Sequence, residues 1–120
     1  MDESQALSAF SALGQEHRLR IVRQLVTAGP NGMAAGVLAE AIGVLGTNLS
    51  FHLKELSHAG LITSRREGRS IIYSAAYPDL SALIQFLMKD CCQGHPEVCT
   101  PALASLAACC DPNEGRTTHA

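Results

Sequence analysis

The sequence has no apolar run long enough to span a bilayer. It also lacks a basic segment followed by an apolar one near its beginning, which is the pattern of a secretory signal. Charged residues make up only 17% of the chain, whereas apolar residues make up 47%, which is enough for a core. These features predict a cytoplasmic chain of 120 residues that folds as one compact domain and has no membrane partner.

No segment has the pattern of a Gly-rich phosphate cradle. The string from Cys110 to Arg116 and Thr117 has the spacing of a phosphatase-type loop, in which a helix N-terminus holds an oxyanion. Here the string contains Asp111 and Glu114, whose carboxylates would repel an oxyanion. We therefore expect a chain that is not an enzyme and that needs no organic cofactor.

Apolar periodicity and turn residues predict five helices and one β-hairpin. The helices are expected over 4–13, 16–27, 33–42, 47–58 and 80–89, and the strands over 61–66 and 70–75. Gly43 allows a tight turn between the third and fourth helices, and Pro78 breaks the chain before the last one. This order of elements predicts a mainly α fold with a β-hairpin wing, the winged helix-turn-helix.

In such a motif the second helix enters the major groove of DNA. With an apolar stripe of Leu49, Leu53 and Leu56 buried, the helix offers polar and aromatic side chains to DNA. The candidate contacts are Thr47, Asn48, Ser50, Phe51, His52 and Lys54 on the helix and Arg65, Arg66 and Arg69 at the wing.

The distribution of charge supports this prediction, although the net charge of the chain is −2. Residues 15–75 carry seven basic and four acidic residues, a net charge of +3, whereas the flanks carry two basic and seven acidic residues, a net charge of −5. Basic charge is therefore concentrated where the DNA-binding motif falls.

Four segments, at 12–21, 49–56, 58–62 and 65–73, resemble the ArsR/SmtB family of metal- and arsenic-responsive repressors. The resemblance covers about residues 5 to 90. It implies a homodimer that represses an operon and loses DNA affinity when it binds its ligand. It also implies that the first and last helices form the dimer interface, with Leu7, Phe10, Leu83 and Leu87 as candidates. Leu45 departs from the family, since many relatives place a capping Ser there, so Gly46 or Thr47 is expected to cap the helix.

Three cysteines near the end of the chain, Cys91, Cys92 and Cys99, suggest a ligand site. A bend containing Gly94 and Pro96 can bring the third thiol beside the pair, and converging thiolates bind a soft ion. Cytosolic thiols stay reduced, which favours a ligand or redox role over a structural disulfide.

Two other sensing sites of the family are not expected here. The segment from Met33 to Val37 has no thiol where some relatives place an arsenic site, and the last helix has Asp79 and Asp90 but no His between them for zinc. The cysteine cluster resembles the C-terminal arsenic site of some arsenic-responsive members.

Trivalent arsenic is completed by three sulfur ligands, and antimony(III) should behave alike, so arsenite, methylarsenite or antimonite is the expected inducer. Zinc prefers four ligands, and His95 could supply the fourth. A repressor that senses zinc, cadmium or thiol oxidation is therefore the alternative, and an arsenic-detoxification enzyme is the least favoured one. Cys109 and Cys110 are either tail residues, further ligands or a redox pair.

Three parts are predicted along the chain. Residues 1–90 form the DNA-binding and dimerisation domain, 91–110 the ligand-binding segment and 111–120 a disordered tail. Adjacent helical residues point about 100° apart, so a ligand held by both Cys91 and Cys92 would require the helix to bend or end there. We expect that change to alter the spacing of the two DNA-reading helices.

Overall fold

A computed structural model describes residues 1–88 of the chain, and Met1–Phe86 forms one compact unit. The elements, in chain order, are α1 (Glu3–Leu13), α2 (Glu16–Ala28), β1 (Met33–Ala34), α3 (Ala35–Ile42), α4 (Gly46–His58), β2 (Ile62–Glu67), β3 (Ser70–Ala75) and α5 (Tyr77–Met88). The order confirms the mainly helical winged helix-turn-helix that the sequence predicts.

Helix α1 begins with a capping box, because Asp2 accepts a hydrogen bond from the Gln5 backbone N–H and the Gln5 side chain accepts one from Asp2. The helix turns a face of small residues to the core, namely Ala6, Ala9 and Ala12. The larger apolar side chains on α1, Leu7 and Phe10, stay 63% and 41% exposed.

The core is formed by side chains of all five helices and of the β2–β3 hairpin. Its larger buried side chains are Ile21, Val22, Leu25, Leu38, Leu49, Leu53, Leu56, Leu61, Ile62 and Leu83. Leu83 is only 5% exposed, so it belongs to the core of its own subunit. This corrects its prediction as an interface residue, since periodicity on α5 shows an apolar stripe without showing which positions face inward.

Helices α3 and α4 form the helix-turn-helix, with an angle of 104° between them. Gly43 ends α3 in the left-handed conformation, with φ of 82°, and its N–H donates to Ala39 O. Leu45 is the N-cap of α4 and supplies no side-chain hydrogen bond. The prediction that Gly46 or Thr47 caps this helix is therefore wrong, because both lie inside its first turn.

The sheet has three antiparallel strands in the order β1-β3-β2. Strands β2 and β3 form the expected hairpin, with Ile62 opposite Ala75 and Glu67 opposite Ser70. The sequence predicts the start of a helix where the short β1 lies. It is extended instead because Met33–Ala34 pairs with the middle of β3.

Helix α5 begins at Tyr77, three residues before the predicted start. Pro78 lies in its first turn, where a missing N–H costs no helical hydrogen bond, so it does not break the helix. The Tyr77 hydroxyl donates to Val26 O at 3.2 Å and lies 3.4 Å from Leu25 O, which joins α5 to the end of α2.

Within residues 1–88, no single helix is both long and apolar enough to cross a membrane; only the bent pair α3 and α4 passes such a test jointly, by length and composition.

Gly32 is held against the wing, and its replacement should destabilise the fold. It has φ of +74°, and a Cβ there would collide with Tyr73 O and Ser74 Oγ. We expect Gly32→Ala to lower the free energy of unfolding by more than about 1 kcal/mol, measured by urea denaturation. Gly36→Ala is the matched control, since a Cβ at Gly36 meets nothing within 4 Å. Equal effects of the two substitutions would contradict this account.

Candidate nucleic-acid interface

The outer face of α4 presents the side chains that the sequence assigns to DNA. Leu49, Leu53 and Leu56 face the core, so the opposite side of the helix is left to solvent. The exposed candidates there are Thr47, Asn48, Ser50, Phe51 and Lys54. Phe51 is 55% exposed, which is unusual for a phenyl ring.

His52 does not belong to this exposed face. It is only 9% exposed, and its Nδ1 accepts a hydrogen bond of 3.3 Å from Arg18 Nε. The prediction that His52 contacts DNA from the flank of α4 is therefore corrected. The residue falls three positions after Leu49 and four before Leu56, which places it on the buried stripe.

The pKa of His52 is lowered from its ordinary value. Burial of the ring is the main cause, and its electrostatic interactions with Arg18 and with His17, whose ring centroid lies 5.6 Å away, act in the same direction. Because Nδ1 accepts the bond from Arg18, the neutral ring must carry its proton on Nε2.

Arg18 on α2 is a further member of the site that no motif in the sequence indicates. Its guanidinium carbon lies 5.4 Å from the centre of the Phe51 ring, within the range of a cation–π contact. Phe51 also meets His52 edge to face, with ring centres 5.7 Å apart. No sequence spacing reveals this contact, since Arg18 and Phe51 lie in different helices.

Arg65 is held within the wing by several bonds. Its Nε pairs with Glu67 Oε2 at 2.7 Å, and its Nη2 donates to Asn31 O at 2.7 Å. Its Nη1 lies 3.4 Å from Ser74 Oγ, and the Ser74 hydroxyl donates to Pro30 O. Arg65 therefore ties the wing to the loop between α2 and β1, and its contact with phosphate stays a prediction.

The other two arginines lie closer to the tip of the wing. Arg66 Nε donates to Gly68 O at 3.2 Å, which folds the side chain over the turn. Arg69 is exposed, and its side chain makes no hydrogen bond or ion pair within residues 1–88. Of the three, Arg69 is therefore the cation with most donors left for DNA.

The predicted ligand site follows the described part of the chain. The candidates Cys91, Cys92, His95, Cys99, Cys109 and Cys110 lie outside the described residues, as do the predicted domain boundaries at 90 and 110. In the part of the chain that is described, no three His, Cys, Asp or Glu side chains converge as a metal site would require. All five cysteines follow that part in the sequence.

The lowered pKa of His52 gives a pH dependence of stability with a definite sign. Below the ordinary histidine value of about 6.5, the unfolded chain takes up a proton that folded His52 resists. Stability should therefore fall as the pH drops through this value toward the folded-state pKa. We expect His52→Gln to reduce the loss of unfolding free energy between about pH 7 and about pH 5.

Urea denaturation at the two pH values measures this loss. His58→Gln is the matched control, because it makes the same replacement at an exposed position of the same helix. An unchanged pH dependence in His52→Gln would show that the buried ring is not its source.

Comparison with known proteins gives the family. A model described as a helix-turn-helix domain matches residues 13–65. The HTH-type transcriptional regulator Rv0081 of Mycobacterium tuberculosis (strain ATCC 25618 / H37Rv) is 34% identical over 80 residues, which make up 67% of this chain and 68% of the relative.

Two solved structures share the fold. The ArsR-like transcriptional regulator from Rhodococcus sp. RHA1 matches with a TM-score of 0.66 and 26% identity, covering 91% of this chain and 95% of that one. The homodimeric winged helix-turn-helix DNA-binding domain of Mb0332 from Mycobacterium bovis, a possible ArsR-family transcriptional regulator, matches with a TM-score of 0.59 and 30% identity, covering 77% and 85%.

These proteins are transcriptional regulators, which confirms the expectation that the chain is not an enzyme. The matched residues contain the helix-turn-helix and most of β2, so the match covers the face of α4 assigned to DNA but ends before Arg66 and Arg69 of the wing. The chain belongs to the ArsR family of winged helix-turn-helix transcriptional regulators.

Proposed function

We propose that this regulator is a dimeric repressor that leaves its operator DNA when trivalent arsenic binds Cys91, Cys92 and Cys99. The observation that carries the DNA-binding half is the exposed outer face of α4 beside the basic wing. The ligand half is supported by the spacing and type of the cysteines in the sequence.

On DNA, α4 lies in the major groove and reads base edges from its first turns. Asn48 has the amide geometry that pairs with adenine, and Thr47 can bond either base edges or phosphates. Phe51 is apolar and exposed, which suits contact with a thymine methyl group. Lys54 lies farther along the same face and suits a phosphate.

Dimerisation is supported by apolar side chains on α1 and α5 that the subunit leaves exposed. Leu7 and Phe10 lie on α1, and Ile84 on α5 is 43% exposed. Leu87, 62% exposed, also stays a candidate, whereas Leu83 is excluded by its place in the core. The Mb0332 domain, which is 30% identical, is homodimeric. Two subunits would place two α4 helices about 34–36 Å apart, to fit successive major grooves.

Arsenic is the preferred ligand because its chemistry fits three thiolates without a further donor. No cysteine occurs before Cys91, so any sensing by thiols involves residues after the described part of the chain. Antimony(III) should likewise be completed by three sulfur ligands. The thiolate is the attacking form of each cysteine. As each As–S bond forms, one As–OH bond of arsenous acid breaks, and the hydroxyl leaves as water with the proton of the thiol.

The alternative is a repressor of the same fold that senses zinc, cadmium or thiol oxidation. His95 between the thiols provides the observation that favours zinc, because it completes a four-ligand set of a common type. Cys109 and Cys110 would serve as added ligands or as a redox pair in this case.

Two of the three wing arginines should have different roles, with Arg69 contacting DNA and Arg65 stabilising the fold. We expect Arg69→Gln to weaken binding to all duplexes and to reduce the salt dependence of log K by about 0.9. We expect Arg65→Gln to lower the free energy of unfolding by about 1 kcal/mol, since it removes the bonds to Asn31 and Glu67.

Fluorescence anisotropy over a range of KCl concentrations and urea denaturation measure the two effects. The substitutions remove the same charge from the same wing, so each is the control for the other. The reverse result, with Arg65→Gln changing the salt slope and Arg69→Gln changing only stability, would contradict this assignment.

Arsenite should release the reduced, full-length protein from DNA of its own promoter at near-stoichiometric amounts. Each of the single replacements Cys91→Ser, Cys92→Ser and Cys99→Ser should raise the arsenite concentration needed for release more than about tenfold. The reason is that two sulfurs hold arsenic less tightly than three. Cys109→Ser and Cys110→Ser are the matched controls and should respond as the unmodified chain does.

Anisotropy of a labelled promoter duplex, titrated with arsenite and separately with zinc, measures the release. Release by zinc alone would favour the four-ligand site that includes His95. If arsenite still releases DNA from each of the three Cys→Ser variants, the assignment of the site is contradicted. If the protein binds the promoter duplex neither with nor without ligand, the proposal that it is a repressor is contradicted.

A further inference from the structure

Arg18 connects α2 to α4 through two contacts at once. Its Nε donates to His52 Nδ1 at 3.3 Å, while its guanidinium carbon stands 5.4 Å from the Phe51 ring centre. One of these partners is buried and the other is exposed. Arg18 therefore spans the distance between the core side of α4 and its outer face.

The position of Arg18 is itself fixed by the start of α2. Gln15 is the N-cap of that helix, and its Oε1 accepts a hydrogen bond of 2.9 Å from the Arg18 backbone N–H. The Gln15 amide nitrogen lies 3.4 Å from His17 Nδ1, and the His17 ring lies beside that of His52. The guanidinium thus extends from a capped helix end toward α4.

The contact with His52 determines which way the guanidinium faces. Arg18 and Glu55 line the same small cavity between α1, α2 and α4, yet Arg18 forms no ion pair with any carboxylate in residues 1–88. Its directed hydrogen bond goes to the neutral His52 ring instead. Lowering of the His52 pKa by burial keeps that ring able to accept the bond.

An exposed phenyl ring on a helix surface has more than one rotamer available, and binding DNA would have to select one of them. A guanidinium over the ring limits this choice before DNA arrives, because planar Arg groups stack on aromatic rings. The entropy lost in ordering the Phe51 side chain would then be lost in the free protein and not on binding DNA.

We propose that Arg18 is a positioning residue for DNA recognition, acting through Phe51, whose ring it holds on the outer face of α4. This inference rests on the proposed entry of that face into the major groove. It assigns a role in base reading to a residue of α2, outside the helix-turn-helix itself.

A double-mutant cycle on the full-length protein tests the inference. The variants are Arg18→Met, Phe51→Ala and the double replacement, with affinity for the promoter duplex measured by fluorescence anisotropy. We expect Arg18→Met to weaken binding about threefold to tenfold when Phe51 is present, and less than about twofold when it is Ala. Equal losses in both backgrounds would overturn the inference.

The salt dependence of binding distinguishes positioning from a direct contact with phosphate. A residue that acts through Phe51 leaves the slope of log K against log salt unchanged, whereas loss of a phosphate contact reduces it by about 0.9. A reduced slope in Arg18→Met would therefore overturn the inference. Arg23→Met is the matched control, since Arg23 is exposed on α2 and its side chain makes no bond to α4 within the described residues.

A second variant keeps the test valid if Arg18→Met fails to fold. Arg18→Lys retains the charge but loses the planar group and the Nε donor to His52. It should weaken binding only when Phe51 is present, and full wild-type affinity would overturn the inference. Binding that is insensitive to Phe51→Ala would overturn this inference alone, whereas absence of promoter binding by the unmodified chain would also overturn the proposed function.

Discussion

Burial of one stripe of α4 determines the orientation of every other side chain on that helix. Leu49, Leu53 and Leu56 occupy the stripe with His52, and all four are nearly inaccessible to water. Because side chains on a helix repeat every 3.6 residues, this burial leaves Thr47 and Phe51 outside. Rotation of α4 would expose three leucines, so burial of these leucines fixes the direction in which the surface assigned to DNA faces.

The wing is attached to the rest of the domain by polar bonds as well as by the sheet. Arg65 reaches the loop before β1, and Ser74 donates to the carbonyl of Pro30. The same loop contains Gly32, which no other residue can replace without a collision. The position of the basic tip therefore depends on a loop that is distant from it in sequence.

The elements set by local pattern could be predicted from the sequence. The leucine spacing of α4 predicts its bounds to within one residue, and the hairpin around Gly68 is where the sequence places it. The strand β1 could not be predicted, because two residues have no periodicity and Met33–Ala34 is extended only through its pairing with β3. The start of α5 could not be predicted from the general rule that proline breaks helices, because Pro78 lies in the first turn of this helix, where proline is tolerated.

The exposed residues of the candidate site could be predicted from the sequence, whereas the contacts between its residues could not. Asn48, Phe51 and Lys54 follow from the face opposite the leucines, whereas Arg18 meets Phe51 only because α2 crosses α4 there. The role of Arg65 depends in the same way on strand register, which places it beside Asn31.

The alanine face of α1 has a consequence for how the protein responds to dilution. Ala6, Ala9 and Ala12 fill the space against the core, so Leu7 and Phe10 have no interior position to occupy. In the proposed dimer, these two side chains gain their burial from a second subunit, and the free energy of that burial enters the stability of the fold. The melting temperature then rises with protein concentration, and the number of copies in a cell becomes a variable of folding as well as of DNA occupancy.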